Sequence, residues 1–210
     1  MRIKVWDFPT RLFHWLLVLA VAGALLTVSL GEAWMLWHQR LGLAVVGLLG
    51  FRLVWGFCGP SAARFSSFVP TPHRLVAQWH GQWQGPGHTP VGALSVLAML
   101  GLFGFQAVTG LFSSDDVAFS GPWAGEVSSQ LSRTLSGWHR STEEALYLLI
   151  GVHLLAIAAY QWRGKQLVGA MLHGRKPVPA AVEPPKPARP MVLVAALVTA
   201  GLAIWVASGL

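Results

Sequence analysis

Four of the eight histidines in this 210-residue chain lie where an imidazole can do chemistry within apolar surroundings. His14 and His153 are inside long apolar runs, and His38 and His139 come shortly before two such runs. Ionisable side chains are costly inside a membrane span, so His153 indicates a functional site. His14, His38 and His139 lie near the ends of the runs, where a histidine can be solvated, and they are singled out because the four can form two pairs. The histidines that we interpret as surface residues are His73, His80 and His173.

The spacing of His139 and His153 predicts two separate sites. Fourteen residues fall only about 40° short of four full helical turns, so both side chains lie on one face, roughly 21 Å apart. That distance is too long for one metal ion and suits two cofactors stacked along the same helix. Each cofactor needs a second ligand, and we predict an inner pair, His14 with His153, and an outer pair, His38 with His139.

Two imidazoles favour haem over the other transition-metal sites. Imidazole ligates iron, copper and zinc, but two histidines without a cysteine or carboxylate leave a tetrahedral zinc site incomplete. They complete the two axial positions of a haem iron, which leaves no open site for oxygen chemistry and therefore predicts electron transfer. No residue is predicted to act as a catalytic nucleophile or general acid. The arginines predicted to contact the haem propionates are Arg11, Arg52 and Arg140.

The composition indicates what positions these side chains. Hydrophobic residues make up 54% of the chain and charged residues only 11%, against about 25% charged in soluble domains. This excludes a soluble enzyme and a disordered chain, and predicts an all-α integral membrane protein. Five apolar runs approach the roughly 20 residues that span a bilayer: Leu12–Leu30, Leu41–Phe57, Val91–Phe112, Ala145–Trp162 and Met191–Leu210.

The positive charges predict the orientation in the membrane. Twelve of the 15 Lys and Arg residues fall on one side of the predicted spans, and basic flanks mark the cytoplasmic side. We therefore expect a cytoplasmic N-terminus and a periplasmic C-terminus, and we read the net charge of +7 as a topology signal and not as a sign of nucleic-acid binding. The three cations on the other side are Arg40, Arg133 and Arg140.

The chain divides into three predicted segments. Residues 1–173 form a four-helix unit, residues 174–190 a linker with six of the 13 prolines, and residues 191–210 an appended fifth helix. Proline-rich linkers favour extended polyproline structure. Within the four-helix unit, His88 precedes the third apolar run. We interpret His88 as a helix cap or surface residue, in preference to a contact with a propionate or a quinone.

Several motifs in order along the chain resemble the bacterial cytochrome b561 and nickel-hydrogenase b-type cytochrome family. The longest is Trp-Asp-Phe-Pro-Thr-Arg-Leu-Phe-His-Trp at residues 6–15. The others are Phe-Arg-Leu-Val-Trp-Gly-Phe at 51–57, Gly-His-Thr-Pro-Val-Gly at 87–92, Thr-Gly-Leu-Phe at 109–112, Trp-His at 138–139, Gly-Val-His at 151–153 and Gly-Arg-Lys at 174–176.

The resemblance implies a four-helix bundle in the bacterial inner membrane that holds two b-type haems. Its axial-ligand positions match His14, His38, His139 and His153. It also implies electron exchange in a respiratory chain, between ubiquinone or menaquinone and a periplasmic cytochrome c or hydrogenase-like subunit. Two features depart from the family: Arg140 follows His139 where the family often has Glu, and the fifth helix lies outside the common core.

Two other functions remain open on the sequence. One is a self-contained quinol oxidase that reduces a small oxidant such as superoxide, with Arg40, Arg133 or Arg140 attracting the anion. The other is a transporter or assembly protein that uses histidine for a transition metal without haem. Whether the chain is itself an enzyme or an electron-transfer subunit therefore stays undecided at this stage.

Overall fold

A computed structural model describes residues 1–83, 85, 87–178 and 182–210. The described residues form a largely helical molecule with one small sheet of two strands, β1 (Arg2–Lys4) and β2 (Arg175–Pro177). The helices are α1 (Phe8–Ser29), α2 (Met35–Cys58), α3 (Phe65–Phe68), α4 (Pro72–Trp79), α5 (Pro90–Leu111), α6 (Ser129–Ser141), α7 (Glu143–Trp162), α8 (Leu167–His173) and α9 (Pro190–Ala207).

Five segments are long and apolar enough to cross a bilayer. They are α1, the segment Glu32–Cys58 that contains α2, α5, the segment Ser129–Trp162 that contains α6 and α7, and α9. Each contains one of the predicted apolar runs, apart from a few residues at the ends. The prediction of an all-α membrane protein with five spans is therefore confirmed.

Two of the long helices, α1 and α5, begin at capping residues that the apolar runs do not reveal. Asp7 accepts a hydrogen bond from the Thr10 amide (3.1 Å), and Pro9 occupies the first turn of α1. Thr89 caps α5 in the same way, accepting from the Gly92 amide (3.1 Å). Because side-chain oxygens satisfy amides that lack intrahelical partners, α1 starts four residues before its apolar run.

The helix that carries His139 and His153 is interrupted at Thr142, so the assumption of one continuous helix was wrong. Thr142 Oγ1 donates to the Trp138 carbonyl (2.7 Å), and Ser141 Oγ donates to the same oxygen (3.3 Å). Such hydroxyl bonds compete with the backbone ladder and bend helices. His139 therefore sits in the last turn of α6, and His153 sits in α7.

Helix α2 is the centre of the packing, with α1, α5 and α9 against it. Its contact with α9 is close because Gly47 and Gly50 have no side chain: a Cβ at Gly50 would lie 3.2 Å from the Ala203 Cβ. Ala196 on α9 is fully buried, in one hydrophobic cluster with residues of α1, α2, α5 and α7. The fifth helix is thus packed into the same hydrophobic core as the rest.

The two strands tie the start of the chain to the segment after α8. They pair antiparallel with Ile3 opposite Lys176, and the Met1 carbonyl accepts from the Val178 amide (3.0 Å). Residues 175–177 therefore form a strand, and the prediction of a polyproline linker from residue 174 was wrong there. Residues 182–189 form neither helix nor strand, and 179–181 lie outside the described residues.

Candidate functional site

The structure brings the outer pair together. The ring centres of His38 and His139 are 6.1 Å apart, with the ring planes nearly perpendicular at 87°. His38 lies in the first turn of α2 and His139 in the last turn of α6. The break at Thr142 therefore does not prevent α6 from placing His139 opposite His38.

Both outer imidazoles are held through the same nitrogen. His38 Nδ1 donates to the Ala24 carbonyl (2.9 Å), and His139 Nδ1 donates to the Gln106 carbonyl (3.0 Å). A carbonyl oxygen only accepts, so each Nδ1 carries the proton and each Nε2 keeps its lone pair. Histidines that ligate a metal are oriented in this way by their second nitrogen.

The spacing of the outer rings fits a metal held between them. With metal–imidazole bonds of about 2 Å and about 1.1 Å from nitrogen to ring centre, two imidazoles on one metal have centres roughly 6 Å apart, close to the 6.1 Å observed. Among the described residues, no group of three or more His, Cys, Asp or Glu side chains can hold a metal by itself. A metal held by this pair would need further ligands from a cofactor, and the four nitrogens of a haem would supply them.

A cavity of about 280 Å³ adjoins the outer pair. Apolar residues of α1, α2, α5 and α7 form much of its lining, and Arg140, Glu143 and Gln106 are among its polar residues. Gly110 also lines it, and a Cβ there would lie 3.0 Å from His139 Cε1. The missing side chain at Gly110 lets the ring of His139 approach α5 and leaves space beside it.

The loop from α5 to α6 lies beside this cavity and is fixed by one carboxylate. Asp115 accepts from the backbone amides of Val117, Ala118 and Phe119 at 2.9 to 3.0 Å. These bonds, led by that from Phe119, hold the pKa of the exposed Asp115 below its usual value. Asp115 and Phe119 themselves line the cavity, so the loop forms one of its walls.

The inner pair lies on α1 and α7. His14 and His153 are both half-buried and close enough for the charge on one ring to act on the other. His14 Nδ1 is buried and has no hydrogen-bond partner among the described residues. Its ring meets that of Trp15 edge-on at 5.1 Å. A ring nitrogen in this state is available to a ligand, as the prediction for His14 requires.

Two of the predicted propionate-binding arginines, Arg11 and Arg52, lie on α1 and α2 and are at least partly buried. Arg52 is only 5% exposed, although it lies in α2, and its Nη1 is buried without a hydrogen-bond partner in the described part of the chain. Arg11 Nη1 donates to the Leu172 carbonyl, while its Nε is buried and unpartnered within the same described residues. The third, Arg140, is exposed at the outer cavity.

The interpretation of His88 as a cap or surface residue was wrong. Thr89 provides the cap of α5, and the ring of His88 packs between Trp6 (4.7 Å) and Phe68 (4.5 Å). His88 Nδ1 is buried with no hydrogen-bond partner among the described residues. Burial lowers the pKa of His88 to about 3, helped by the positive charges of Arg52 and Lys176. Threonine followed by proline in a first helical turn is a capping signal, and it places His88 before the helix.

The prediction of three surface histidines agrees with the structure. His73, His80 and His173 are exposed, as predicted. The groups that orient the outer pair were missed: two of them are backbone carbonyls, which leave no trace in a sequence. The third is Thr109, whose hydroxyl lies 3.3 Å from His139 Nδ1 and belongs to the Thr-Gly-Leu-Phe motif at 109–112.

The chain matches the sequence model of prokaryotic cytochrome b561 over residues 5–174. The matched range contains all four histidines of the inner and outer pairs, and it ends before α9. No curated protein and no solved structure matches the chain. Because the family match covers most of the sequence, the chain belongs to the prokaryotic cytochrome b561 family, whose members are membrane proteins that bind b-type haem and transfer electrons.

Proposed function

We propose that this protein holds two bis-histidine b-type haems and passes electrons between the quinone pool and a periplasmic redox partner. The observation that carries the proposal is the outer pair: two rings 6.1 Å apart, each with Nδ1 donating to a backbone carbonyl. That arrangement leaves the Nε2 lone pair of each ring free to bind a metal, as axial ligation of haem requires.

The residues that would hold the haems differ at the two levels. His38 and His139 would ligate the outer haem, with Arg140 near its carboxylates. His14 and His153 would ligate the inner haem, with Arg11 and Arg52 near its carboxylates. When bound, haem supplies one-electron transfer, and the protein supplies ligation, orientation and local charge.

The charges along the chain support the proposed partners. Basic residues concentrate on the side of the inner pair, so the inner haem would lie toward the cytoplasm, where we propose that ubiquinone or menaquinone exchanges electrons. The outer pair would face the periplasm, where a cytochrome c or hydrogenase-like subunit would dock. The segments 1–173, 174–190 and 191–210 would then be a di-haem unit, a linker and an extra helix.

The test is the haem content of the purified protein and of single histidine variants. The wild type should show a b-type α band on reduction and two haems per chain. His139→Ala and His153→Ala should each retain one haem, with different residual spectra, since each removes one ligand of a different pair. His80→Ala, which changes an exposed histidine, is the matched control and should retain both. Fewer than two haems in the wild type would contradict the proposal.

One observation favours a second candidate, a quinol oxidase that reduces superoxide. Arg140 is exposed at the outer cavity beside His139, where a cation can attract a small anion. Rapid mixing of the quinol-reduced protein with superoxide or with cytochrome c separates the two functions. Fast reoxidation by superoxide that slows at least tenfold in Arg140→Gln would support the oxidase, whereas reoxidation by cytochrome c alone would support the electron-transfer subunit.

A further inference from the structure

Arg52 has no ion-pair partner among the described residues, although the negative charge of Asp7 acts on it from a longer distance. Arg52 is 5% exposed, and its guanidinium lies over the rings of Phe65 (4.5 Å) and Phe68 (6.0 Å). Among the described residues, no carboxylate forms an ion pair with Arg52 within 4.0 Å. Aromatic faces attract a cation, but a buried charge without a directly paired counter-charge remains unfavourable. An anionic ligand would complete this site.

His88 is the second polar group at the same place. Phe68 contacts both side chains: its ring lies under the Arg52 guanidinium and against the His88 imidazole. His88 is also within electrostatic reach of Arg52 and of His14. Because burial keeps its pKa near 3, the imidazole is neutral at physiological pH. It therefore does not repel Arg52, and one ring nitrogen can donate a hydrogen bond.

We propose that Arg52 and His88 together bind one carboxylate beside His14, and that this carboxylate belongs to the haem held by His14 and His153. This inference rests on the proposed function and adds His88 as a cofactor-binding residue. A carboxylate fits better than a quinone headgroup, because a neutral carbonyl leaves Arg52 without an ion-pair partner. A carboxylate accepts charge-assisted bonds from arginine and a second donor at once.

The experiment measures how tightly each haem is held in the purified, full-length protein. His88→Phe keeps the packing against Trp6 and Phe68 but removes the N–H donor, and His88→Gln restores a donor. His80→Phe, at an exposed histidine, is the matched control. Haem transfer to apomyoglobin, followed optically, reports the release of each haem. A redox titration of the same samples reports the two midpoint potentials.

We expect one of the two haems to leave about tenfold to a hundredfold faster in His88→Phe, the effect of losing a hydrogen bond to a charged group. His88→Gln should lie between His88→Phe and the wild type, and the other haem should be unaffected. The midpoint potential of the weakened haem should fall, because the negative carboxylate is less compensated. Arg52→Gln should act in the same direction. In the double variant, the increase in the rate of haem release should be smaller than the product of the increases in the two single variants, since both residues bind one ligand.

Three outcomes would overturn the inference. In the first, His88→Phe releases both haems at the rate of His80→Phe. In the second, haem release and both potentials stay at wild-type values while the KM for quinol rises, which would place a quinone at this site. In the third, the increase in the rate of haem release in the double variant equals the product of the increases in Arg52→Gln and His88→Phe. If His88→Phe does not fold, His88→Gln and Arg52→Lys carry the same comparison. Failure of the proposed function is distinct, because the wild type itself would then hold fewer than two haems.

Discussion

Gly110 shows at the level of a single residue how the outer pair is positioned. It lies on α5 against the ring of His139, whose Nδ1 also faces the Gln106 carbonyl and the Thr109 hydroxyl. Thr109 is 2% exposed and donates to the Phe105 carbonyl (2.8 Å), so it cannot move away. The ring of His139 is therefore confined by neighbours on one helix, and even a methyl group at Gly110 would displace it.

Gly110→Ala should weaken the binding of the outer haem. The new Cβ would be 3.0 Å from His139 Cε1, and overpacking of this kind costs about 1–3 kcal/mol. We expect release of the outer haem to be roughly tenfold faster, measured by transfer to apomyoglobin. Gly101→Ala on the same helix is the control, because a Cβ there meets nothing within 4 Å in the described part of the chain. Equal rates for the two variants would contradict the argument.

The candidate ligands could be proposed from the sequence because a histidine within an apolar run is conspicuous there. Placing an ionisable side chain such as His153 inside an apolar run is energetically unfavourable, and this distinguishes it from the other residues of the run. The site of His88 was not predictable, because its partners Trp6 and Phe68 come from distant segments and both ring contacts depend on the tertiary fold. The buried state of Arg52 was hidden for the same reason: an arginine near the end of a membrane helix normally extends to the interface.

At the scale of elements, the position of α9 depends on two glycines of α2. A Cβ at Gly47 would lie 2.5 Å from Ile204 Cδ1 and 3.2 Å from the Ala200 carbonyl oxygen. The far end of α9 is also attached, because Trp123 Nε1 donates to the Val206 carbonyl (3.1 Å). Small residues allow this close packing of helices within a membrane.

Gly47→Leu should separate α9 from α2 without emptying the haem sites. A leucine side chain cannot fit against Ala200, so we expect the protein to lose roughly 1–3 kcal/mol of stability. We also expect protease to cleave the segment 182–189, which precedes α9, faster than in the wild type. The measurements are thermal unfolding in detergent and limited proteolysis. Haem content should stay unchanged, because the four proposed ligands lie on α1, α2, α6 and α7.

Gly104→Leu on α5 is the matched control for Gly47→Leu, since a Cβ at Gly104 meets nothing within 4 Å among the described residues. Its stability and its proteolytic pattern should equal those of the wild type. If Gly47→Leu behaves like this control, α9 does not depend on close packing against α2.

The five spans were predictable at this scale because length and hydropathy determine them. The helix break at Thr142 and the helices α3, α4, α6 and α8 were missed. Helix α6 is polar on most of its surface, so its residues do not form an apolar run. Its start depends on a hydrogen bond from the Leu131 amide to the side chain of Ser128, which hydropathy does not indicate. The pairing of β1 with β2 joins three-residue segments more than 170 positions apart, and nothing in either segment specifies the other.

For the whole molecule, the orientation follows from the distribution of charge and can be tested with the chain's own thiol. Cys58 is the only cysteine, and it is exposed at the end of α2 that we assign to the cytoplasm. In intact spheroplasts, a membrane-impermeant maleimide should leave Cys58 unlabelled until the membrane is permeabilised. The expectation follows from the excess of Lys and Arg on that side, and the readout is the mass shift of the purified protein.

The control for this labelling experiment places a thiol on the opposite side. Val117→Cys in a Cys58→Ser background lies in the loop between α5 and α6, where Val117 is 92% exposed. It should react in intact spheroplasts. Labelling of Cys58 before permeabilisation, together with protection of the thiol at position 117, would show that the orientation is inverted.

The pairing of β1 with β2 also bears on how the chain is made. Synthesis runs from the N-terminus, so residues 2–4 have no strand partner until residues 175–177 leave the ribosome. Those partners follow α7, the last long helix within the family match. The sheet can therefore close only after that helix has been translated. Helix α9 emerges later still. It must therefore insert beside α2 in a bundle whose first and last segments are already joined through β1 and β2.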